Sequence, residues 1–398
     1  MSPEKILSSL AAVFVLGVSA QWVAARLRIP SILLLLATGI AAGSGFGWIA
    51  PDQLLGDLLL PVVSLSIAVI LFEGSMSLRF RELARIGRPL LMMLTIGVFL
   101  TWALTTLGSM WILQLPPGLS LLLGAILTVT GPTVIGPMLR LIRPSGPAGP
   151  IARWEGIVID PIGAMLAVLV FSAESALSRG AFGSAALDAF AGFGQTMLTG
   201  VCSGWCMAWC LRQLLSRHWI PDHLESPFTL MTVIGGFTAS NLLVHEAGLI
   251  AVTVMGILLA NQNQVSIRRI MEFKENLSVL LISSLFILLS ARLETAALLE
   301  MSWRGPAFAA FMILIVRPVV VWLATIGSGL RKVDRLFLAW LAPRGIVAAA
   351  VSSVFALELA KTNPQASLLV PATFTIIIST VLVYGLTSGP LARILGLS

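Results

Sequence analysis

Leu127-Thr128-Val129-Thr130-Gly131-Pro132-Thr133-Val134-Ile135-Gly136-Pro137 interrupts an apolar run that is otherwise long enough to cross a bilayer. Proline removes a backbone donor and disfavours the helical conformation in the residue before it. Two Gly-Pro pairs within one run therefore break or kink the helix. A second run contains Leu341-Ala342-Pro343-Arg344-Gly345-Ile346, again a break, with a charge inside it. Broken backbone at membrane depth is stable only where it is buried in protein or lines a cavity. The two interruptions thus mark where the working centre of the molecule is expected.

The surrounding sequence places both breaks in membrane. Of 398 residues, 57% are hydrophobic and only 11% charged, and the mean hydropathy is +0.97; soluble domains carry about 25% charged residues. Apolar runs of about 20 residues predict thirteen spans, at 6–25, 30–49, 56–78, 89–113, 119–140, 151–173, 183–211, 227–244, 247–262, 276–293, 303–326, 335–358 and 366–392. The first carries a cleavage-like Val18-Ser19-Ala20. Its leading charge is Lys5 alone and Arg26 and Arg28 follow it, so it reads as an uncleaved helix. Most loops are short, and no soluble domain is expected within residues 1–398.

Charge supports the count. Odd-numbered connections and the C-terminus carry seventeen Lys and Arg, whereas the N-terminus and the even-numbered connections carry five. The positive-inside rule then places the N-terminus outside and the C-terminus in the cytoplasm of a cell (inner) membrane. The net charge of +7 follows from this topology: the bases sit in short loops with no aromatic interleaving. Nucleic-acid binding is excluded and phosphate recognition is not expected. With breaks in spans 5 and 12, seven apart, the predicted fold is an all-α polytopic membrane protein. It has inverted repeats (spans 1–6 and 8–13, span 7 connecting them) and two discontinuous crossing helices. Paired breaks of this kind point at a transport site.

Asp160 lies in the middle of Ile151–Phe171, with Glu155 five residues before it. A charge at the bilayer centre costs about 2.5–3.5 kcal/mol on insertion scales and marks an ion pathway, a relay or a buried pair. At about 100° per residue the two acids stand about 140° apart around the helix, so they serve different neighbours. Arg317, deep in span 11, needs a counter-charge. His245-Glu246, in an outward turn, reads as a pH sensor or a solvated pair. Gly39, Gly43 and Gly47 have the spacing that permits close helix contact, with a second subunit or with neighbouring helices. Cys202, Cys206 and Cys210 share one helix face. Without a fourth ligand they read as small packing residues, not as a metal or disulfide site.

Thr130-Gly131-Pro132, then Glu155 and Asp160, then Arg317, then Pro343-Arg344-Gly345 resembles the monovalent cation/proton antiporter family, in its thirteen-helix sodium/proton exchanger branch. Leu71-Phe72-Glu73-Gly74 and Gly248-Leu249-Ile250-Ala251-Val252 extend the resemblance over essentially the whole chain. The chain departs from the family pattern twice. Ile159 stands where the family has Asn before the aspartate, and Gly131 where the span-5 break commonly has Asp.

The resemblance implies a secondary active antiporter that exchanges Na⁺, or K⁺ or Li⁺, for H⁺ by alternating access. Burial disfavours the charged form of a carboxylic acid, so Asp160 holds either a proton or a cation. Thr130 and freed carbonyls near Gly131 are the further candidate ligands. Glu155 and Arg317 are implied as a structural ion pair, with Pro132, Pro343, Arg344 and Gly345 shaping the crossed breaks. Glu73 is a candidate for the entrance or for a pair with Arg344. The implied division is a scaffold and dimer surface at 1–82 and 183–300, and an ion-transport core at 89–173 and 303–398. No Gly-rich Lys-Ser/Thr loop is present, so no nucleotide-driven step, cofactor or resident metal is expected. The expected partners are the ions, membrane lipid, a second copy in a homodimer and a cytosolic regulatory domain in another chain. Two other readings stay open: a K⁺ efflux protein or channel on the same fold, and a non-transporting membrane sensor module.

Overall fold

The computed structural model describes residues 2–27, 29–177, 185–265, 268–293, 296, 298, 301–359 and 363–397. The expected start of span 7 at 183, together with Arg179 and Lys361, lies outside the described residues. Within them the chain is helical, with no strand. The helices are α1 (Pro3–Leu27), α2 (Ser31–Gly45), α3 (Pro51–Ser75), α4 (Phe80–Leu113), α5 (Pro117–Ile126), α6 (Pro132–Ile142), α7 (Ala148–Leu177) and α8 (Ala185–Ser216). They continue as α9 (Glu225–Leu243), α10 (Ala247–Ala260), α11 (Arg268–Ala291), α12 (Arg304–Ala324), α13 (Lys332–Ala339), α14 (Ile346–Leu359) and α15 (Leu369–Ile394). Each of the thirteen predicted spans coincides with one helix, or with one of the broken pairs α5/α6 and α13/α14.

Packing sorts the helices into two groups. In one, α10 lies against α3, α8 and α9, while α11 lies against α1, α2 and α3. In the other, α4 packs on α5 and α12, α7 on α5 and α6, and α15 on α12 and α14. Gly39 and Gly43 press onto α11: a Cβ on Gly39 would come within 2.9 Å of the Ile287 carbonyl, and one on Gly43 within 2.5 Å of the Ala291 Cα. The glycine ladder therefore seats α2 on a helix of its own chain. Gly47 has nothing within 4 Å and sits at φ +66°, a conformation that favours glycine.

The cysteines do not pack within the chain. Cys202, Cys206 and Cys210 are all exposed on the outer face of α8, where small thiols meet the apolar surroundings of the helix. α4 and α12 each contain a π-turn, at Met93–Gly97 and Met312–Val316. In α12 the cause is local: Pro318 has no N–H to offer the carbonyl four residues back, and the ladder widens before it. Arg317 sits at the end of that turn.

Candidate functional site

The two breaks cross at a pair of glycines. α5 ends at Ile126, and α6 starts at Pro132, where a missing N–H costs nothing. α13 ends at Ala339, and α14 starts at Ile346. The Gly131 N–H donates to the Pro343 carbonyl at 3.1 Å. A Cβ on Gly131 would lie 2.8 Å from the Gly345 nitrogen, and one on Gly345 would lie 2.5 Å from the Gly131 Cα. This contact is the physical reason for glycine at 131. An aspartate there would force the two backbones apart.

Breaking a helix orphans the last carbonyls of its first half and leaves partial negative charge there. A buried arginine answers each end. Arg344 Nη1 donates to the carbonyls of Thr128 (3.0 Å) and Val129 (2.7 Å), beyond α5. Arg317 Nε and Nη2 donate to the carbonyls of Leu338 (3.0 Å) and Leu341 (3.1 Å), at the end of α13. Arg317 also forms a bidentate pair with Glu155, with Nη2 at 2.9 Å from Oε2. Arg317 thus fixes α7, α12 and the second break at once. The sequence indicated its need for an acid but not the two carbonyls.

Asp160 stands on α7 between Gly156 and Gly163, a stripe of positions i, i+4 and i+7 on one helix face. Both glycines touch the first break. A Cβ on Gly156 would lie 3.5 Å from the Thr130 carbonyl, and one on Gly163 would lie 2.7 Å from Thr128 Oγ1. With its backbone held that close, α7 presents Asp160 to the break. Asp160 is fully buried. Among the described residues neither carboxylate oxygen has a hydrogen-bond partner, nor do the buried hydroxyls of Thr130 and Thr133. Buried polar atoms are almost always satisfied, so an unpartnered acid on the helix packed against the break, and two unpartnered hydroxyls in and just after that break, fit a site that takes a small exchangeable ligand.

The carbonyls divide differently from the sequence expectation. Those of Thr128 and Val129 serve Arg344, and that of Gly131 accepts the N–H groups of Val134 (3.1 Å) and Ile135 (3.0 Å). The Thr130 carbonyl, facing Gly156, accepts from no described donor. Gly156, Gly163 and Thr133 were not singled out from the sequence. The spacing Gly156-Asp160-Gly163 is the signal that would have found the first two.

A cavity of about 510 Å³ on the arginine-rich face reaches Pro132 and Thr133 at the start of α6 and stops short of Asp160; Glu73, Arg140, Arg143, Arg153 and Ile157 also line it. Glu73 stands in its wall. On the opposite side Ile67, Phe237, Val351 and Phe355 leave a gap of only about 80 Å³, into which Glu246 faces. Glu246 has φ +64° and a side chain 29% exposed, against 89% for its neighbour His245. Burial pushes its carboxyl above the ordinary range and the imidazole partly offsets this.

Thirteen spans, two crossed breaks with arginine-held ends and a buried unpartnered carboxylate define an inverted-repeat membrane protein of the ion-transporter type. A family model described as sodium/hydrogen exchanger, transmembrane, matches residues 10–394, and the chain belongs to that family. The K⁺/H⁺ antiporter NhaP2 of Shewanella sp. (strain MR-4) is 28% identical over 94% of this chain and 64% of its own length. This chain therefore spans about two thirds of that relative. A probable Na⁺/H⁺ antiporter 2 of Methanocaldococcus jannaschii is 24% identical over 98% of this chain and 97% of its own. The solved structure of the sodium proton antiporter MjNhaP1, from the same organism, superposes with a TM-score of 0.85 at 23% identity, covering 99% of both chains.

Proposed function

We propose that this chain is a secondary active antiporter in which a monovalent cation, Na⁺ or K⁺, and a proton compete for Asp160. One observation carries the reading: a fully buried carboxylate whose two oxygens lack partners among the described residues, presented to the break between α5 and α6. A hard cation takes oxygen ligands. The Asp160 carboxylate, the Thr130 hydroxyl, the Thr130 carbonyl and water supply them, and Gly131 contributes the close crossing instead of a ligand. In the other half of the cycle Asp160 carries a proton, which leaves it neutral for the return movement. Arg344 and Arg317 neutralise the carbonyl ends at the breaks, so the site's charge changes only through its cargo.

The names of the relatives, which include both K⁺/H⁺ and Na⁺/H⁺ antiporters, support the ion class. The wide cavity on the arginine-rich face and the tight apolar gap opposite support an arrangement open to the cytoplasm. In this reading the N-terminus is outside and the C-terminus inside, in a cell (inner) membrane. The group holding α4–α7 and α12–α15 is the moving core. The group holding α1–α3 and α8–α11 is the scaffold, with the exposed faces of α1 and α8 as the homodimer and lipid surface. Glu73 guards the cytoplasmic entrance, and gradients alone drive the exchange. A regulatory domain acting from another chain is compatible with the cytoplasmic face. The test is proton movement in proteoliposomes with an internal pH dye, on adding Na⁺, K⁺ and Li⁺ in turn. Cation-dependent flux abolished by Asp160→Asn is expected. An uncoupled leak would mean a channel, and no flux from folded protein would mean a non-transporting module.

A further inference from the structure

A second cavity, of about 660 Å³, lies on the arginine-rich face within the α4/α7/α12 group and shares little wall with the first. Three segments far apart in sequence close it. They are the first turns of α4 (Arg81, Glu82, Arg85), the start of α7 (Gly146, Pro147, Pro150) and the approach to α13 (Gly329, Arg331, Asp334). Its volume falls in the range of sites for small organic ligands, about 300–1,000 Å³.

The polar groups in its wall are not neutral in balance once their commitments are counted. Both carboxylates are already engaged. Glu82 Oε2 accepts from Trp154 Nε1 at 2.9 Å, and Oε1 lies 3.7 Å from Arg153. Asp334, fully buried, accepts from Arg331 Nε at 2.7 Å and from Nη2 at 3.1 Å. The guanidinium groups of Arg81 and Arg85 pair with no described residue, and Nη1 of Arg331 carries no bond to Asp334. The first-turn N–H groups of α7 and α13, which helix geometry leaves without internal partners, flank the same space. Gly146 permits the closure: at φ +86°, a Cβ there would sit 3.0 Å from Arg331 Nη2. What remains to be satisfied is donor and cation, from guanidinium forks suited to a doubly charged oxyanion.

We infer that this cavity binds a phosphate-bearing anion, held by Arg81, Arg85 and Arg331 between the starts of α4, α7 and α13. Loop arginines that the sequence explains by topology alone converge here on one space. The ligand would brace α7, which carries Asp160, against α13, whose end Arg317 holds, and so would tune the core from its cytoplasmic side. The phosphate group belongs either to a soluble polyphosphate compound or to an anionic lipid headgroup.

The test uses the full chain, purified in neutral detergent at low ionic strength, with pyrophosphate as probe in calorimetry. Saturable binding is expected, weakened at least tenfold in Arg81→Gln/Arg85→Gln and less in Arg81→Lys/Arg85→Lys, which keeps the charge but loses the fork. Arg217→Gln, an exposed arginine stacked on Trp219, should bind as wild type does. Asp160→Asn should also bind unchanged, which separates this site from the transport reading. Repeating the titration in nanodiscs assigns the source. Loss of pyrophosphate binding in phosphatidylglycerol discs but not in phosphatidylcholine discs makes the headgroup the occupant; binding in both makes it a soluble compound. Absence of saturable binding by wild-type protein, or equal weakening by Arg217→Gln, would overturn the assignment.

Discussion

Gly131 shows how one residue can mislead in sequence and be plain in structure. Compared with its family it has lost a carboxylate, which reads as a weakened ion site. Against Gly345 it is the contact that lets two broken helices cross. Gly131→Ala should therefore cost about 1–3 kcal/mol through overpacking, seen as a lower Tm, and Gly131→Asp should cost more without restoring affinity. An aspartate variant that folds normally and binds cation more tightly would refute this. The Glu155–Arg317 pair makes a second residue-scale prediction. Removing one partner of a buried pair costs about 3–5 kcal/mol. Glu155→Ala should be that severe, and Glu155→Ala/Arg317→Ala less than the sum of the single losses. The carbonyls of Leu338 and Leu341 add a cost for Arg317→Ala beyond the lost acid. Additive losses in the cycle would contradict the pairing. Glu246 gives the third. Its carboxyl is raised above its ordinary value of 4.5, so the folded state binds its proton more tightly than the unfolded one. Stability is then lost as pH rises from about that value through the raised one. Glu246→Gln should match wild type at low pH and be the more heat-stable protein above the window, as thermal unfolding across pH would show.

At the scale of elements, all thirteen spans were legible because apolar length and charge bounds determine a membrane helix more strongly than propensity determines a soluble one. Both breaks were legible from Gly131-Pro132 and Pro343-Arg344-Gly345, although a Gly-Pro pair alone does not break a helix here: α6 runs on through Gly136-Pro137 and α15 through Gly389-Pro390. Which groups the breaks serve was not legible. A sequence shows that carbonyls are freed, but not that Arg344 reaches those beyond α5 while Arg317 reaches those of α13. That pairing depends on how two distant segments cross. The cysteine stripe was misread for a similar reason: small residues at helical spacing suit a packed interface, and only the fold shows that this face of α8 looks outward. The element-scale prediction follows from the breaks. Arg344→Gln should destabilise the first break and reduce transport, because the carbonyls of Thr128 and Val129 lose a charged donor. Unchanged thermal stability and flux in that variant would mean that water can replace the guanidinium.

The whole molecule has a cavity that is wide on one side, a gap that is tight on the other, and between them a buried carboxylate without a partner among the described residues. Alternating access needs a site that reaches one side at a time, and competition for a single acid couples the two fluxes without a further device. With one such acid the exchange should be electroneutral, one cation for one proton. An imposed membrane potential should then leave the flux in proteoliposomes unchanged. Competition at Asp160 is tested most directly by the proton balance of cation binding itself. Purified protein in weakly buffered detergent is titrated with Na⁺ or K⁺ while released protons are counted. One proton released for each cation bound is expected, with neither binding nor release in Asp160→Asn. Cation binding without proton release, or release that survives the substitution, would contradict it.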